Sequence, residues 1–250
     1  MTIDERLDAN SVEVSKDGTT TTLTLSRPAK LNSLDSGIVE ELLSALEVCR
    51  GDGTRLVVFR GAGKGFSGGF DFTGLEEQTE GDLALRFLRV EALLQAVHYA
   101  PFVTMALVHG PCFGAAADLV ASCTHRIAAP GARFRMPGLR FGVVLGTRRL
   151  AEVIGRDNAR DVLSKSKILE ANEALRIGFL TGIAEQDNWP QLVTEATEAA
   201  SILSASRLER VLQLTNDDRR DSDLAELARS VMEPGLKTRI SDYIASMKKK

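Results

Sequence analysis

The stretch Leu56-Val57-Val58-Phe59-Arg60-Gly61-Ala62-Gly63-Lys64-Gly65-Phe66-Ser67-Gly68-Gly69-Phe70-Asp71 decides the fold. Its apolar opening gives way to small residues and then to an acid, which reads as a buried strand ending in a tight loop. The pattern returns in Phe102-Val103-Thr104-Met105-Ala106-Leu107-Val108-His109-Gly110, followed by Pro111-Cys112-Phe113-Gly114-Ala115-Ala116-Ala117-Asp118. Small residues at a strand end let a ligand approach the main chain closely. Two such endings side by side would aim two backbone N–H groups at one developing oxyanion.

Around these strands the pattern alternates between strand and helix. Ser11 to Ser15 and Thr21 to Leu25 alternate about the turn Lys16-Asp17-Gly18, which predicts a hairpin. Asp35 or Ser36 caps a predicted helix to about Cys49, with Ile38, Leu42, Leu43, Ala45 and Leu46 inward. A helix over 82–98 leads to the second strand, and an Ala-rich helix from Gly114 to Ser122 precedes a strand at 124–128. Such alternation argues for an α/β core with parallel pairing. Beyond residue 147 the spacing predicts helices at 147–164, 170–177, 189–205, 207–214 and 221–248, with Asn216-Asp217-Asp218 as a loop. We divide the chain into an α/β core, 1–190, and a helical C-terminal region, 191–250.

The bulk properties exclude several functions. The 250 residues carry 44% hydrophobic and 26% charged side chains, ordinary for a soluble globular chain. A net charge of −3 leaves no footprint for nucleic acid or an acidic membrane. Thr2-Ile3-Asp4-Glu5-Arg6 lacks the features of a signal peptide, and no apolar run is long enough to span a bilayer. Cys49, Cys112 and Cys123 have no zinc-type spacing and fit a reducing cytoplasm, while His98, His109 and His125 are too scattered for a metal cluster. We expect no metal. Gly61-Ala62-Gly63-Lys64-Gly65 tempts a nucleotide reading, but the third glycine of G-x-G-x-x-G falls on Phe66 and no Gly-Lys-Ser/Thr occurs. Ser67 lacks the G-x-S-x-G setting of a hydrolase nucleophile.

Several segments, in this order, resemble the crotonase (enoyl-CoA hydratase/isomerase) superfamily. Leu25-Ser26-Arg27-Pro28-Ala29-Lys30-Leu31-Asn32-Ser33-Leu34 is similar to its opening signature, where the chain wraps coenzyme A. Phe66 to Phe72 and His109 to Asp118 resemble its two oxyanion segments. Arg126 to Phe134 and Glu173 to Leu180 also fit. The resemblance implies a repeated ββα spiral core, assembly as a homotrimer or dimer of trimers, and acyl-CoA thioester substrates of the kind met in fatty acid metabolism. It implies no cofactor beyond the coenzyme A of the substrate. Carried across, the thioester enolate would be held by the backbone N–H groups of Phe70 and Ala115. Asp118 would handle protons. The substrate and CoA contacts would come from Ala29, Lys30, Leu31, Gly68, Gly69, Asp71, Phe72, Phe113, Gly114, Pro137 and Gly138.

The sequence also departs from that pattern. Hydratases of the family use two glutamates. One position here is Asp118, shorter by one methylene, and the other is Gly138, which has no side chain. Hydration needs two proton-handling groups, so a one-carboxylate isomerase, lyase or thioester hydrolase suits this chain better. An impaired crotonase-like CoA-binding or assembly protein is the alternative. The turn in Gly142 to Leu150 is shorter than the family's usual Gly-rich turn. Competing structural readings are that the helix dipole keeps Asp118 ionised, that Asp71 caps the next turn, and that Lys30 is a solvated charge. The Lys248-Lys249-Lys250 tail, with Arg239 and Tyr243, would either reach a neighbouring subunit or form a frayed end.

Overall fold

The computed structural model describes residues 11–248, with side-chain surroundings to residue 247. The readings of Thr2 to Arg6 and of Lys249 and Lys250 lie outside these residues. The hairpin is β1 (Val12–Asp17) and β2 (Thr20–Leu25). Next come α1 (Ser36–Gly51), β3 (Leu56–Gly61), α2 (Glu80–His98) and β4 (Val103–Val108). Asp35 caps α1 by accepting from the Ile38 N–H at 2.9 Å, and Thr79 and Asp82 form a capping box on α2. Then follow β5 (Pro111–Phe113), α3 (Ala115–Ala121), β6 (His125–Ala128) and β7 (Arg133–Arg135). The chain continues through α4 (Thr147–Ile154), α5 (Arg156–Lys165), β8 (Leu169–Glu170), α6 (Ala171–Arg176) and β9 (Gly182–Ile183). It ends in α7 (Trp189–Ser201), α8 (Ala205–Leu214), α9 (Arg220–Met232) and α10 (Leu236–Lys248).

A large sheet runs β1-β2-β3-β4-β6-β9, parallel from β2 onward. Its central strands are buried on both faces, which is why they read as unbroken apolar runs. Leu56, Val58, Met105 and Leu107 pack toward Trp189, Ala196 and Leu208. Val57, Phe59, Ala106 and Val108 face the main core, with α1, α2 and α3. A smaller sheet, β5-β7-β8, is extended by single bridges between Ser67 and Cys112 and between Leu34 and Phe70. Each turn of chain therefore lays one strand in the large sheet, one extended segment in the small layer, then a helix. This is the expected ββα spiral.

The small layer escaped the sequence reading because its strands are only two or three residues long. Two predicted helices are each broken in two. Gly155, at φ +78°, separates α4 from α5, and Pro234 with Gly235, at φ +80°, separates α9 from α10. The broken helices turn back onto the body: Leu227, Val231, Leu236, Ile240 and Tyr243 belong to the main core. No helix among the described residues is long and apolar enough to cross a membrane.

Candidate active site

One buried amide fixes the loops that build the site. Leu31 (φ +47°) and Asn32 (φ +50°) follow the exposed turn Pro28–Lys30 in left-handed conformations. Asn32 holds this strained turn by donating from Nδ2 to the carbonyls of Ala62 (2.8 Å), Gly65 (3.1 Å) and Phe66 (3.1 Å). Its Oδ1 accepts from the Arg27 N–H at 2.9 Å. Ser67 then donates to the Asn32 carbonyl (2.7 Å) and accepts from the Gly69 N–H (3.1 Å). Its hydroxyl is committed to structure. The Gly68 N–H donates to the Leu31 carbonyl at 2.7 Å. Leu31 thus sits beside Gly68, while Ala29 and Lys30 remain exposed.

The two glycine-rich endings run against each other. Ser67 accepts the Phe113 N–H at 3.0 Å, and a Cβ on Gly69 would lie 2.2 Å from the Phe113 carbonyl oxygen. It would also lie 3.2 Å from the Ala115 nitrogen. Gly69, at φ +84°, is there because nothing larger fits. Leu34 bonds to the Gly69 carbonyl and the Asp71 N–H, so the Phe70 N–H faces away from that pairing. Among the described residues neither the Phe70 nor the Ala115 N–H has a backbone acceptor. Phe70 and Ala115 both line one cavity of about 570 Å³.

The walls of that cavity are largely aromatic. Phe70 stacks on Phe87 at 4.1 Å, Phe72 meets Phe141 edge-on at 6.0 Å, and Phe141 packs on Tyr243 at 5.0 Å. Gly68, Asp71, Phe72, Phe113, Gly114, Pro137 and Gly138, all named above from the resemblance, also line it. Gly69 lies directly behind, whereas Ala29, Lys30 and Leu31 are outside the lining.

Asp118 enters from α3 with 6% of its surface exposed. Burial pushes its carboxyl up to about 8; Arg149 pulls against this and Glu91 adds to it. Desolvation is the largest influence on Asp118 and works against the ionised form that the helix dipole would favour. Arg149 is nearly consumed elsewhere. It is paired with Glu91, both being almost wholly buried, and lies 3.6 Å from Asp223. Gly146, at φ +63°, closes over the acid: a Cβ there would come within 2.4 Å of Asp118 Oδ1. Asp71 contrasts. Its Oδ1 accepts the Thr73 N–H at 2.8 Å, as expected of a turn cap, and Arg27 approaches Oδ2 at 3.2 Å.

Comparison with known proteins gives the chain its family. Residues 15–242 match the family model described as enoyl-CoA hydratase/isomerase. The chain belongs to the enoyl-CoA hydratase/isomerase family. It is 31% identical over 208 residues to a probable enoyl-CoA hydratase of Bacillus subtilis (strain 168), covering 80% of this chain and 77% of that one. It is 30% identical over 207 residues to the short-chain-enoyl-CoA hydratase of Clostridium acetobutylicum, covering 78% and 76%. Among solved structures, a Bordetella parapertussis protein carrying the name enoyl-CoA hydratase/isomerase superimposes with a TM-score of 0.94. The identity is 46%, over 95% of this chain and 99% of that one.

Within this family the chain has its own site features. Gly138 follows Pro137 in the cavity wall and offers no side chain to it. The Val143 N–H donates to the Gly138 carbonyl at 3.0 Å, and a Cβ on Gly138 would lie 3.0 Å from the Val143 carbonyl oxygen. A side chain at 138 would therefore require the Val143 carbonyl to shift by a few tenths of an ångström. Sequence reasoning missed Thr147, Arg135, Leu163 and Met247 in the lining. The Thr147 hydroxyl is buried without a hydrogen-bond partner among the described residues. Tyr243 and Arg239 both make contacts within this chain. Tyr243 lines this chain's own cavity, and Arg239 donates to the carbonyls of Phe141, Ser230, Glu233 and Pro234. No pattern within residues 236–247 points to the cavity, whose other lining residues all lie at or before Leu163.

Proposed function

We propose that this chain moves a proton on an acyl-CoA thioester with one carboxylate, and that double-bond isomerisation is the reaction this serves best. The observation that carries the reading is Asp118, a buried carboxyl raised to about 8, in the cavity that also receives Phe70 and Ala115. A thioester carbonyl oxygen placed between the two main-chain N–H groups would gain charge as the α-proton leaves, and those donors would stabilise the enolate. Ionised Asp118 takes the α-proton. The pair of electrons left behind shifts the double bond, and the protonated Asp118 returns the proton to the γ-carbon. A carboxyl with a pKa near neutral is a stronger base than an ordinary aspartate and remains a usable acid. Hydration would need a second group for water, and Gly138 supplies none.

A CoA-binding or assembly protein without turnover is the second reading, and Gly138 is the observation that favours it. Assembly as a trimer or dimer of trimers, through the 191–250 region, belongs with either reading. Ile202, Val211 and Leu214 are exposed there, and so is Met232. The deciding assay gives purified protein a 3-enoyl-CoA and a 2-enoyl-CoA and follows isomerisation and hydration separately, with Asp118→Asn in parallel. Isomerisation that depends on Asp118 supports the reading. Hydration as fast as isomerisation would sink it, and thioester binding without any turnover would favour the inactive alternative.

A further inference from the structure

The cavity carries one charge that the chemistry above leaves unused. Four titratable side chains line it: Asp71, Asp118, Arg135 and Tyr243. Asp71 is compensated by Arg27, and Asp118 is largely neutral. Arg135 has no such compensation. Its Nε donates to the Ser166 carbonyl and hydroxyl, both at 3.1 Å, which anchors the guanidinium. Its two Nη atoms form no hydrogen bond or ion pair among the described residues. By contrast, Arg27 and Arg149, also near this cavity, each have a carboxylate partner.

Tyr243 completes the feature. It is 6% exposed, and its hydroxyl has no partner among the described residues. Burial pushes the phenol pKa up, while the charges of Arg135 and Arg140 pull it back, so both cations act on this ring. Arg140 stacks its guanidinium 5.6 Å over the ring centroid. An otherwise apolar wall thus presents a fixed cation and a phenolic donor, and lacks an anion. Arg135 is half-buried, so an anion bound against this wall would gain a charge-assisted pair in partly apolar surroundings.

We propose that Arg135 and Tyr243 form an anion-recognising subsite, and that the preferred thioester carries a carboxylate on its acyl group. This rests on the acyl-CoA reading above and specifies its substrate class. A planar guanidinium offers two parallel N–H groups to a carboxylate, and a phenol adds a third donor. The phosphates of coenzyme A offer similar chemistry. The contacts favour the acyl group: Arg135 is tied to Ser166 and pairs across β5 and β7 with Phe113, whereas Leu31, in the segment expected to wrap coenzyme A, contacts Gly68.

The test is calorimetric binding of glutaryl-CoA, pentanoyl-CoA and free coenzyme A to the wild type, Arg135→Gln and Tyr243→Phe. The glutamine keeps an N–H donor for Ser166. We expect the wild type to bind glutaryl-CoA about tenfold tighter than pentanoyl-CoA, as for a charge-assisted pair. Arg135→Gln should bring that ratio close to one, and Tyr243→Phe should lower it about two- to threefold. A wild-type ratio of one or less overturns the proposal, as does a ratio that Arg135→Gln leaves intact. If Arg135→Gln weakens free coenzyme A as much as glutaryl-CoA, the arginine reads phosphate and the proposal falls while the thioester reading stands. If neither thioester binds the wild type, both fall together.

Discussion

Asp71 and Asp118 each follow one of the two glycine-rich endings, yet they have become opposite kinds of acid. Both are more than nine-tenths buried, and both line the same cavity. Burial raises the pKa of each. For Asp71, the Thr73 hydroxyl and N–H, together with Arg27, outweigh it and hold the carboxyl below the usual range. For Asp118 the nearest cation is already paired with Glu91, and burial wins. The difference teaches that burial alone does not prepare a carboxyl for proton transfer. What decides is whether neighbouring donors have answered the charge.

The comparison breaks most visibly if Asp118 is replaced. Asp118→Asn should lower turnover by about 10²–10⁴, the usual contribution of a positioned acid or base, while thioester binding changes little. Steady-state kinetics beside calorimetry would check it, and undiminished turnover would show that another group carries the proton.

The same substitution should raise stability in a pH-dependent way. An aspartate in the unfolded chain ionises near 4, whereas folded Asp118 ionises near 8. The stability tied to its neutral form is therefore complete below about pH 4 and is lost progressively as the pH rises to about 8. Asparagine has no proton to lose. The melting temperature of Asp118→Asn should match the wild type in acid and exceed it increasingly toward pH 8, by about 2–4 °C per kcal/mol. A gap that does not vary with pH would refute the raised pKa.

Gly146→Ala sharpens the contrast without replacing either acid. Its Cβ would press on Asp118 Oδ1 and the backbone would be strained at positive φ. Displacing the carboxyl by a fraction of an ångström should cost about 10–10² in kcat, and a wild-type rate would show that its position is not critical. The smallest effect belongs to Asp71→Asn. It weakens a half-screened ion pair with Arg27 and leaves an acceptor for the Thr73 N–H, so about 1 kcal/mol of stability is at stake. Thermal denaturation should show a drop of a few degrees, with kcat nearly unchanged. A loss of turnover as large as that of Asp118→Asn would erase the distinction between the two acids.

Much of this was legible in the chain. The paired endings, the hairpin, α1, α2 and the central strands follow from apolar runs and capping residues, which are local signals. Most of the expected residues line the cavity because glycines at 69 and 114 take positive φ and let the two endings turn and approach closely. The small sheet was not legible, since two- and three-residue strands have no period to detect. Nor was the break at Gly155, where one residue of positive φ divides an otherwise continuous helical pattern. Tyr243 and Arg135 were missed as lining residues for a different reason. Their place in the cavity depends on α10 folding back and on an anchor at Ser166, neither of which leaves a mark in nearby sequence.

The amino-acid order by itself determined where the strands end and that an acid follows each ending. It also determined that residue 138 can contribute no side chain. The tertiary structure decided which of the two acids is left neutral, because that depends on whether Arg27 and Arg149 have charge to spare. It also decided what the cavity wall is made of. Pattern along a chain records local conformational preference, whereas desolvation and charge compensation are set by atoms that only folding brings together.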